Sequence, residues 1–254
     1  MRNLLRLCGR TLPDIKYVRS VATRILRPLH NRFAPGKDTA DVLGFKMELD
    51  PAECVDSALW FTPRHYDRDE RRYVERNVTS GVLLDVGSNV GFWSLFLASR
   101  FPASRVIAIE ANPRTYQCLT RNIAINGFDN IVAIGCGVGR TAGSFPLYLN
   151  ETGNRGGDTM SAEVGKGKSI DVPVRPLSDI LREAHIERVA FMKIDIEGME
   201  QDVFEDIRDN VERAGWPKAV CVETVFCPDL PRLLGDMGYV RVLSGRENHI
   251  YVRD

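Results

Sequence analysis

The 254-residue sequence predicts a doubly wound α/β domain on a mostly parallel sheet. Three observations point there. Short apolar runs recur from Gly81 onward, separated by segments with the composition of helices. The runs are apolar throughout rather than alternating, as strands covered on both faces are. The early runs end in a glycine turn or a lone acid, the place where an open α/β sheet presents its ligand site.

Each element follows from its residues. Residues 45–49 read as a short strand and 67–77 as a charged helix. Residues 82–86 (VLLDV) form the first strand of the sheet, and 92–99, rich in Phe, Trp and Leu, the helix after it. Residues 105–109 are the second strand, tipped by Glu110; Pro113 then sits at a helix start, where its missing N–H is harmless. The apolar face of that helix runs over 116–125. Residues 131–135, 189–194 and 219–223 supply the third to fifth strands, and 239–243 with 249–252 an antiparallel edge hairpin, seven in all. Residues 144–176 break the alternation. Two β-rich runs there flank a glycine-rich stretch, which reads as an inserted hairpin with a long tip.

Composition sets limits. A 44% hydrophobic and 27% charged chain is globular. With 34 basic against 34 acidic residues there is no strong overall positive field, so nucleic acid is not an expected partner. No run approaches the ~18 apolar residues of a membrane span. The six cysteines form no CxxC pair and read as thiols in a reducing compartment, so the expected location is cytoplasmic.

The balance of charge hides an asymmetry. Residues 1–37 carry nine basic side chains and one acid, Asp14; the remainder carries 25 basic and 33 acidic, a net of −8. Leu4, Cys8, Thr11, Ile15, Val18, Ala22, Ile25 and Leu29 fall on one helical stripe, with Pro13 at the start of a second helix. Residues 1–40 are therefore expected to be a basic amphipathic arm and 41–254 the α/β domain, with a linker over 30–39. Such an arm packs on its own domain, builds a homodimer, or lies on an anionic membrane surface; an organellar transit peptide shares its composition.

The strand ends carry the chemistry. Asp85-Val-Gly87-Ser88-Asn89-Val-Gly91 follows the first strand, with glycines for a tight turn and close ligand approach. It is not GxGxxG, which weakens a dinucleotide reading. Glu110, 19 residues beyond Gly91, can accept both hydroxyls of a ribose. Together they imply a ligand containing a nucleoside.

Residues 85–95 (DVGSNVGFWSL), 106–113 (VIAIEANP) and 193–200 (KIDIEGME) resemble the three signature blocks of the FkbM-type methyltransferases. The resemblance covers roughly 45–252. It implies a Rossmann-like class I fold, seven strands and S-adenosyl-L-methionine as cofactor. The backbone of Gly87, Ser88, Asn89 and Gly91 would then cradle the methionine part, with Asp85 near its amino group. Glu110 would hold the ribose, Ala111 and Asn112 would flank the adenine on one side, and Cys136, Gly137 and Val138 on the other.

Asp195 ends the fourth strand, and a carboxylate within reach of an acceptor hydroxyl serves as general base. Glu197 and Glu223 are alternatives for that base or for binding acceptor hydroxyls. Glu197 also suits the N-terminus of the next helix, where the dipole favours an acid. Asp195 and Glu197 offer two of the several oxygens a divalent metal needs; no third stands out, and no metal is expected. His65, Asn154 and Arg155 are weaker candidates for acceptor contacts. The expected reaction is O-methylation of a hydroxyl on a sugar, glycoconjugate or secondary metabolite, a small-molecule or glycan acceptor that the arm would suit to a membrane surface. The other readings of such a sheet are a nicotinamide-dependent oxidoreductase and a non-catalytic scaffold.

Overall fold

The computed structural model describes residues 2–11, 18–150, 155–162, 164–165, 167–245 and 247–254. Two helices open the chain, α1 (Arg2–Arg10) and α2 (Val18–Phe33), followed by a hairpin of β1 (Asp38–Val42) and β2 (Phe45–Leu49). Next come α3 (Cys54–Phe61) and α4 (Arg68–Asn77). The sheet region alternates β3 (Val82–Val86), α5 (Phe92–Arg100), β4 (Arg105–Ile109), α6 (Pro113–Asn126) and β5 (Ile131–Ile134). The insertion supplies β6 (Gly137–Val138), β7 (Gly143–Tyr148) and β8 (Ser169–Arg175). Then follow α7 (Leu177–Glu183), β9 (Phe191–Ile194), α8 (Glu200–Asn210), β10 (Ala219–Glu223), α9 (Leu230–Asp236), β11 (Val240–Ser244) and β12 (Asn248–Val252).

The main sheet has seven strands in the order β11-β12-β10-β9-β3-β4-β5. The ladders β10–β9–β3–β4–β5 are parallel, and β12 runs antiparallel to both β10 and β11. This is the doubly wound, mostly parallel sheet that the alternating apolar runs predict. One core lies between one sheet face and α3–α5, around Trp60, Phe96 and Phe191; the other lies beneath α7, α8 and α9, around Met192, Phe204 and Leu234. Strand order turns about at β3, with β4 and β5 laid to one side and β9 and β10 to the other, so the crevice for a ligand opens at the carboxyl ends of β3 and β9.

Local chemistry sets the element ends. The Asn112 side chain accepts a hydrogen bond from the Arg114 amide, capping α6, and Pro113 occupies its first turn. α6 ends at Gly127 in the left-handed conformation. The insertion is a hairpin, β7 antiparallel to β8, and β6 adds a third, parallel strand.

Two expectations are corrected. The linker expected over 30–39 is helix to Phe33 and strand from Asp38. β1 (DTADV) reads as polar, yet its pairing with β2 buries the alternate residues Ala40 and Val42, which is enough to hold a strand. The second correction concerns the arm. Leu4, Cys8, Thr11, Ile25 and Leu29 of the predicted stripe are exposed. The residues turned toward the domain are instead Leu5, Gly9, Leu26 and His30, packed on α3. His30 is buried with its ring edge-on to Trp60 and Phe61, and the carbonyl of Phe61 stands where a Cβ at Gly9 would be. Pro13 and Ile15 lie outside the described residues, as do the side chains of Val18 and Ala22.

Candidate active site

The crevice is built on the turn after β3. Gly87 has φ 79° and Asn89 φ 49°, both left-handed. A side chain at Gly87 would meet the Asp195 carbonyl oxygen, so the glycine lets the two strand ends, β3 and β9, come together. The turn is tied to β4 by the amides of Gly87 and Ser88, which both donate to the Ile109 carbonyl at 2.9 Å.

Glu110 stands at the tip of β4. Its two carboxylate oxygens accept the backbone amides of Asn89 at 2.8 Å and Asn112 at 2.9 Å. The carboxyl is thus aimed and immobile, and burial pushes it up to about 7. Asp85 forms the buried floor; the Ser94 hydroxyl donates to it at 2.5 Å, and burial pushes its carboxyl up to about 6. Ala111, Cys136, Gly137 and Val138 line the neighbouring part of the crevice together with Leu147 and Met160 of the insertion.

Opposite Glu110 lies a cluster of acids. Carboxylate oxygens of Asp195, Glu197 and Glu223 lie within 4.8 Å of one another. Glu223 thus supplies the third oxygen that the sequence does not single out, and the trio has the donor chemistry to hold a divalent cation. Burial and the neighbouring acids, Asp195 first among them, push Glu197 up to about 8 and Glu223 up to about 9. Beneath them Lys193, itself buried, donates from Nζ to Asp195 and to the Asn248 side chain, both at 3.0 Å.

Glu197 has φ 55° and its carbonyl accepts the Thr159 hydroxyl at 2.5 Å. The role of helix-terminal acid falls instead to Glu200, whose carboxylate accepts the amides of Ile196 at 2.8 Å and Gly198 at 3.0 Å. That leaves the Glu197 side chain to line the crevice.

The far wall comes from elements distant in sequence. Cys54, Val55 and Ala58 of α3, Tyr66, Phe92 and Trp93 give it an apolar face. The Trp93 indole donates to Asp67 at 2.9 Å. Asp158 from the insertion accepts from the Asn112 side chain at 2.6 Å, which ties the insertion to the start of α6, and from the Asn150 amide within the insertion at 2.7 Å.

The crevice therefore gathers Asp85, Gly87, Ser88, Asn89, Glu110, Ala111, Cys136, Gly137, Val138, Asp195, Glu197 and Glu223. Gly91 and Asn112 stand just behind it, starting α5 and capping α6. His65 is elsewhere, lining a cavity with Gly9 and Arg10 of the arm. Asn154 and the Arg155 side chain lie outside the described residues. Sequence reasoning missed the α3 wall, Asp67, Trp93, Glu247 and Asn248, which also line the crevice. No local motif marks them; only tertiary packing brings them in.

The sheet order, glycine turn and strand-tip acid define an α/β domain of the methyltransferase class. The model of the methyltransferase FkbM domain matches residues 85–239, more than half of the chain, and the chain belongs to that family. It is a methyltransferase, not the oxidoreductase or scaffold that a similar sheet also allows. Methyltransferase sdnD of Sordaria araneosa is 30% identical over 192 residues, covering 62% of this chain and 73% of the relative. The 31-O-demethyl-FK506 methyltransferase FkbM of Streptomyces tacrolimicus is 28% identical over 164 residues, covering 54% and 62%. Among solved structures, yhhF of Escherichia coli shares the fold with a TM-score of 0.50 and 13% identity, covering 85% of this chain and 99% of that one.

Proposed function

We propose that the chain methylates a hydroxyl oxygen of a small, uncharged acceptor, a sugar, glycoconjugate or secondary metabolite, with S-adenosylmethionine as donor. The observation that carries this is the pairing of an anchored Glu110 on one side of the crevice with the acid cluster of Asp195, Glu197 and Glu223 on the other.

The residues fit this cofactor. An ionised carboxylate offers about four lone-pair sites, and the amides of Asn89 and Asn112 take two of Glu110's. Two remain, the number a ribose diol needs. Asn89 Oδ1 is buried with no hydrogen-bond partner, an acceptor ready for a donor from the ligand. Ala111, Cys136, Gly137, Val138, Leu147 and Met160 give the crevice beyond Glu110 an apolar lining suited to the face of a base. When bound, S-adenosylmethionine supplies an electrophilic methyl carbon on a sulfonium.

This chain's residues do the rest. Asp195 is held at 3.0 Å by Lys193 and faces the crevice, positioned to take the acceptor's hydroxyl proton. Glu197 and Glu223, pushed up by burial and by Asp195, hold protons at neutral pH and can donate as well as accept hydrogen bonds to acceptor hydroxyls. Orientation of the acceptor oxygen is the larger contribution, and the rigid turn after β3 and the pinned insertion provide it. Charge selects the acceptor class. Among the described residues eight acidic side chains line the crevice against one cation, Lys193, which Asp195 already engages, and even with Glu197 and Glu223 protonated the acids outnumber it. A phosphate or carboxylate on the acceptor would be repelled. The name of the Streptomyces tacrolimicus relative refers to an O-demethyl compound, which agrees with methylation on oxygen.

The test is transfer of labelled methyl from S-adenosylmethionine to a panel of neutral polyols and polyketide alcohols, each beside its phosphorylated or carboxylated counterpart. Label should enter neutral acceptors only. In Asp195→Asn the rate should fall by roughly 10²–10⁴, the usual weight of a general base, with cofactor affinity within a few-fold. Preference for the anionic counterparts, or full activity in Asp195→Asn, would overturn the reading.

A further inference from the structure

The arm carries two apolar faces, and the domain uses only one. Leu26 and His30 of α2 turn inward onto α3, as do Leu5 and Gly9 of α1. On α2 a second row runs at helical spacing along the outside: Ile25 is 56% exposed, Leu29 39% and Phe33 53%. On α1, Leu4 and Leu7 are 62% and 59% exposed. These five are large apolar side chains left in water on adjoining helices, a combination that marks an interaction surface rather than scattered surface residues.

Charge sorts the same way. Three arginines fasten the arm inward: Arg10 and Arg27 donate to the carbonyls of Asp41 and Ala52, and Arg6 lies 5.3 Å over the Trp60 ring. Arg24 and Arg32 stay exposed beside the outer apolar row. Only one of the first 37 residues is acidic, against a net of −8 for the rest of the chain.

We propose that the outer face of α1 and α2 docks the enzyme on an anionic phospholipid bilayer. Apolar side chains enter the acyl boundary while exposed arginines meet the headgroups. The 16 residues of α2 span about 24 Å, and among the described residues no helix is long and apolar enough to cross a membrane, so the arm lies in the interface. A second copy of the chain fits this face less well: a two-fold contact sets the same patch against itself, arginine against arginine. Docking also has a consequence for the site. α3 underlies both helices and gives Cys54, Val55 and Ala58 to the crevice wall, so the bilayer face and the active site share one helix.

The experiment is co-sedimentation of the full chain with vesicles of phosphatidylcholine alone and of phosphatidylcholine with phosphatidylglycerol. The chain should sediment with the second and not the first, and less at raised salt. Ile25→Glu/Leu29→Glu and Arg24→Glu/Arg32→Glu should each lower binding by at least about tenfold, with unchanged melting because these side chains are exposed. If either pair proves misfolded, Leu4→Glu/Leu7→Glu on α1 tests the same face. Absence of binding to anionic vesicles overturns the proposal, as does binding of the folded variants at the level of the parent. A concentration-dependent dimer that Ile25→Glu/Leu29→Glu dissolves, without vesicle binding, overturns it in favour of a second copy.

Discussion

Replacing Glu223 with glutamine should stabilise the protein, and by an amount that depends on pH. The Glu223 carboxyl sits at about 9 in the folded chain against an ordinary 4.5, because it is buried beside Asp195 and Glu197. A carboxyl raised in this way binds its proton more tightly folded than unfolded. Its penalty is therefore absent below pH 4.5, grows as pH rises, and levels off above the folded value. At pH 7 the gap from the ordinary value, at about 1.4 kcal/mol per pH unit, sets a ceiling of about 3 kcal/mol. Partial solvent access at the crevice reduces this to about 1–2 kcal/mol. Glutamine keeps the shape and never ionises. In a chain of this size the gain corresponds to a rise in Tm of roughly 3–6 °C at pH 7–8, shrinking to nothing near pH 4.5. Thermal melts of the ligand-free protein and Glu223→Gln across that range measure it. A glutamine variant that is less stable at pH 8, or whose advantage is the same at every pH, would refute the electrostatic account. Such a gain at a site residue is the usual sign of stability given up for function.

Three further outcomes follow from the same geometry. Lys193→Met removes the cation that draws Glu197 and Glu223 down, so the alkaline limb of kcat/KM, where these two carboxyls lose the protons they carry at neutral pH, should move up by about 1–2 pH units while cofactor affinity holds; an unmoved limb would show that Lys193 only packs. Gly87→Ala drives a Cβ into the Asp195 carbonyl at a φ of 79° and should lose at least about 2–3 kcal/mol in urea unfolding, whereas a loss below 1 would mean that the turn yields easily. Affinity for the cofactor should rise as pH passes upward through 7, because the Glu110 carboxyl ionises there and only the ionised form keeps two free acceptor sites; isothermal titration from pH 6 to 8 reads this, and a flat profile would exclude it.

The sheet was legible because its strands are buried on both faces and leave unbroken apolar runs. Residues 219–223 and 82–86 match β10 and β3 end to end. The elements that escaped are those whose pattern tertiary packing decides. β1 is polar in three of its five residues and is held by pairing with β2. α3 lacks a side-chain cap and is apolar on most sides, because the arm covers one face and the crevice wall needs another. In the site, Asp85, Glu110, Asp195 and Glu223 could be read because each occupies or follows the end of an apolar strand. Asp67, Trp93 and Asn248 could not, since helix, loop and hairpin reach the crevice only in three dimensions. That Glu200 and not Glu197 is the helix-terminal acid rests on two backbone hydrogen bonds that no spacing rule resolves.

The central claim is that the crevice between β3 and β9 holds S-adenosylmethionine through Glu110. Calorimetric titration with S-adenosylhomocysteine, beside NAD and beside the variant Glu110→Ala, tests it most directly. Two hydrogen bonds to an ionised acceptor amount to about 3–4 kcal/mol, so the variant should bind a few hundred-fold more weakly, and NAD should not compete. Equal affinity in Glu110→Ala, or binding of NAD in place of S-adenosylhomocysteine, would contradict the account.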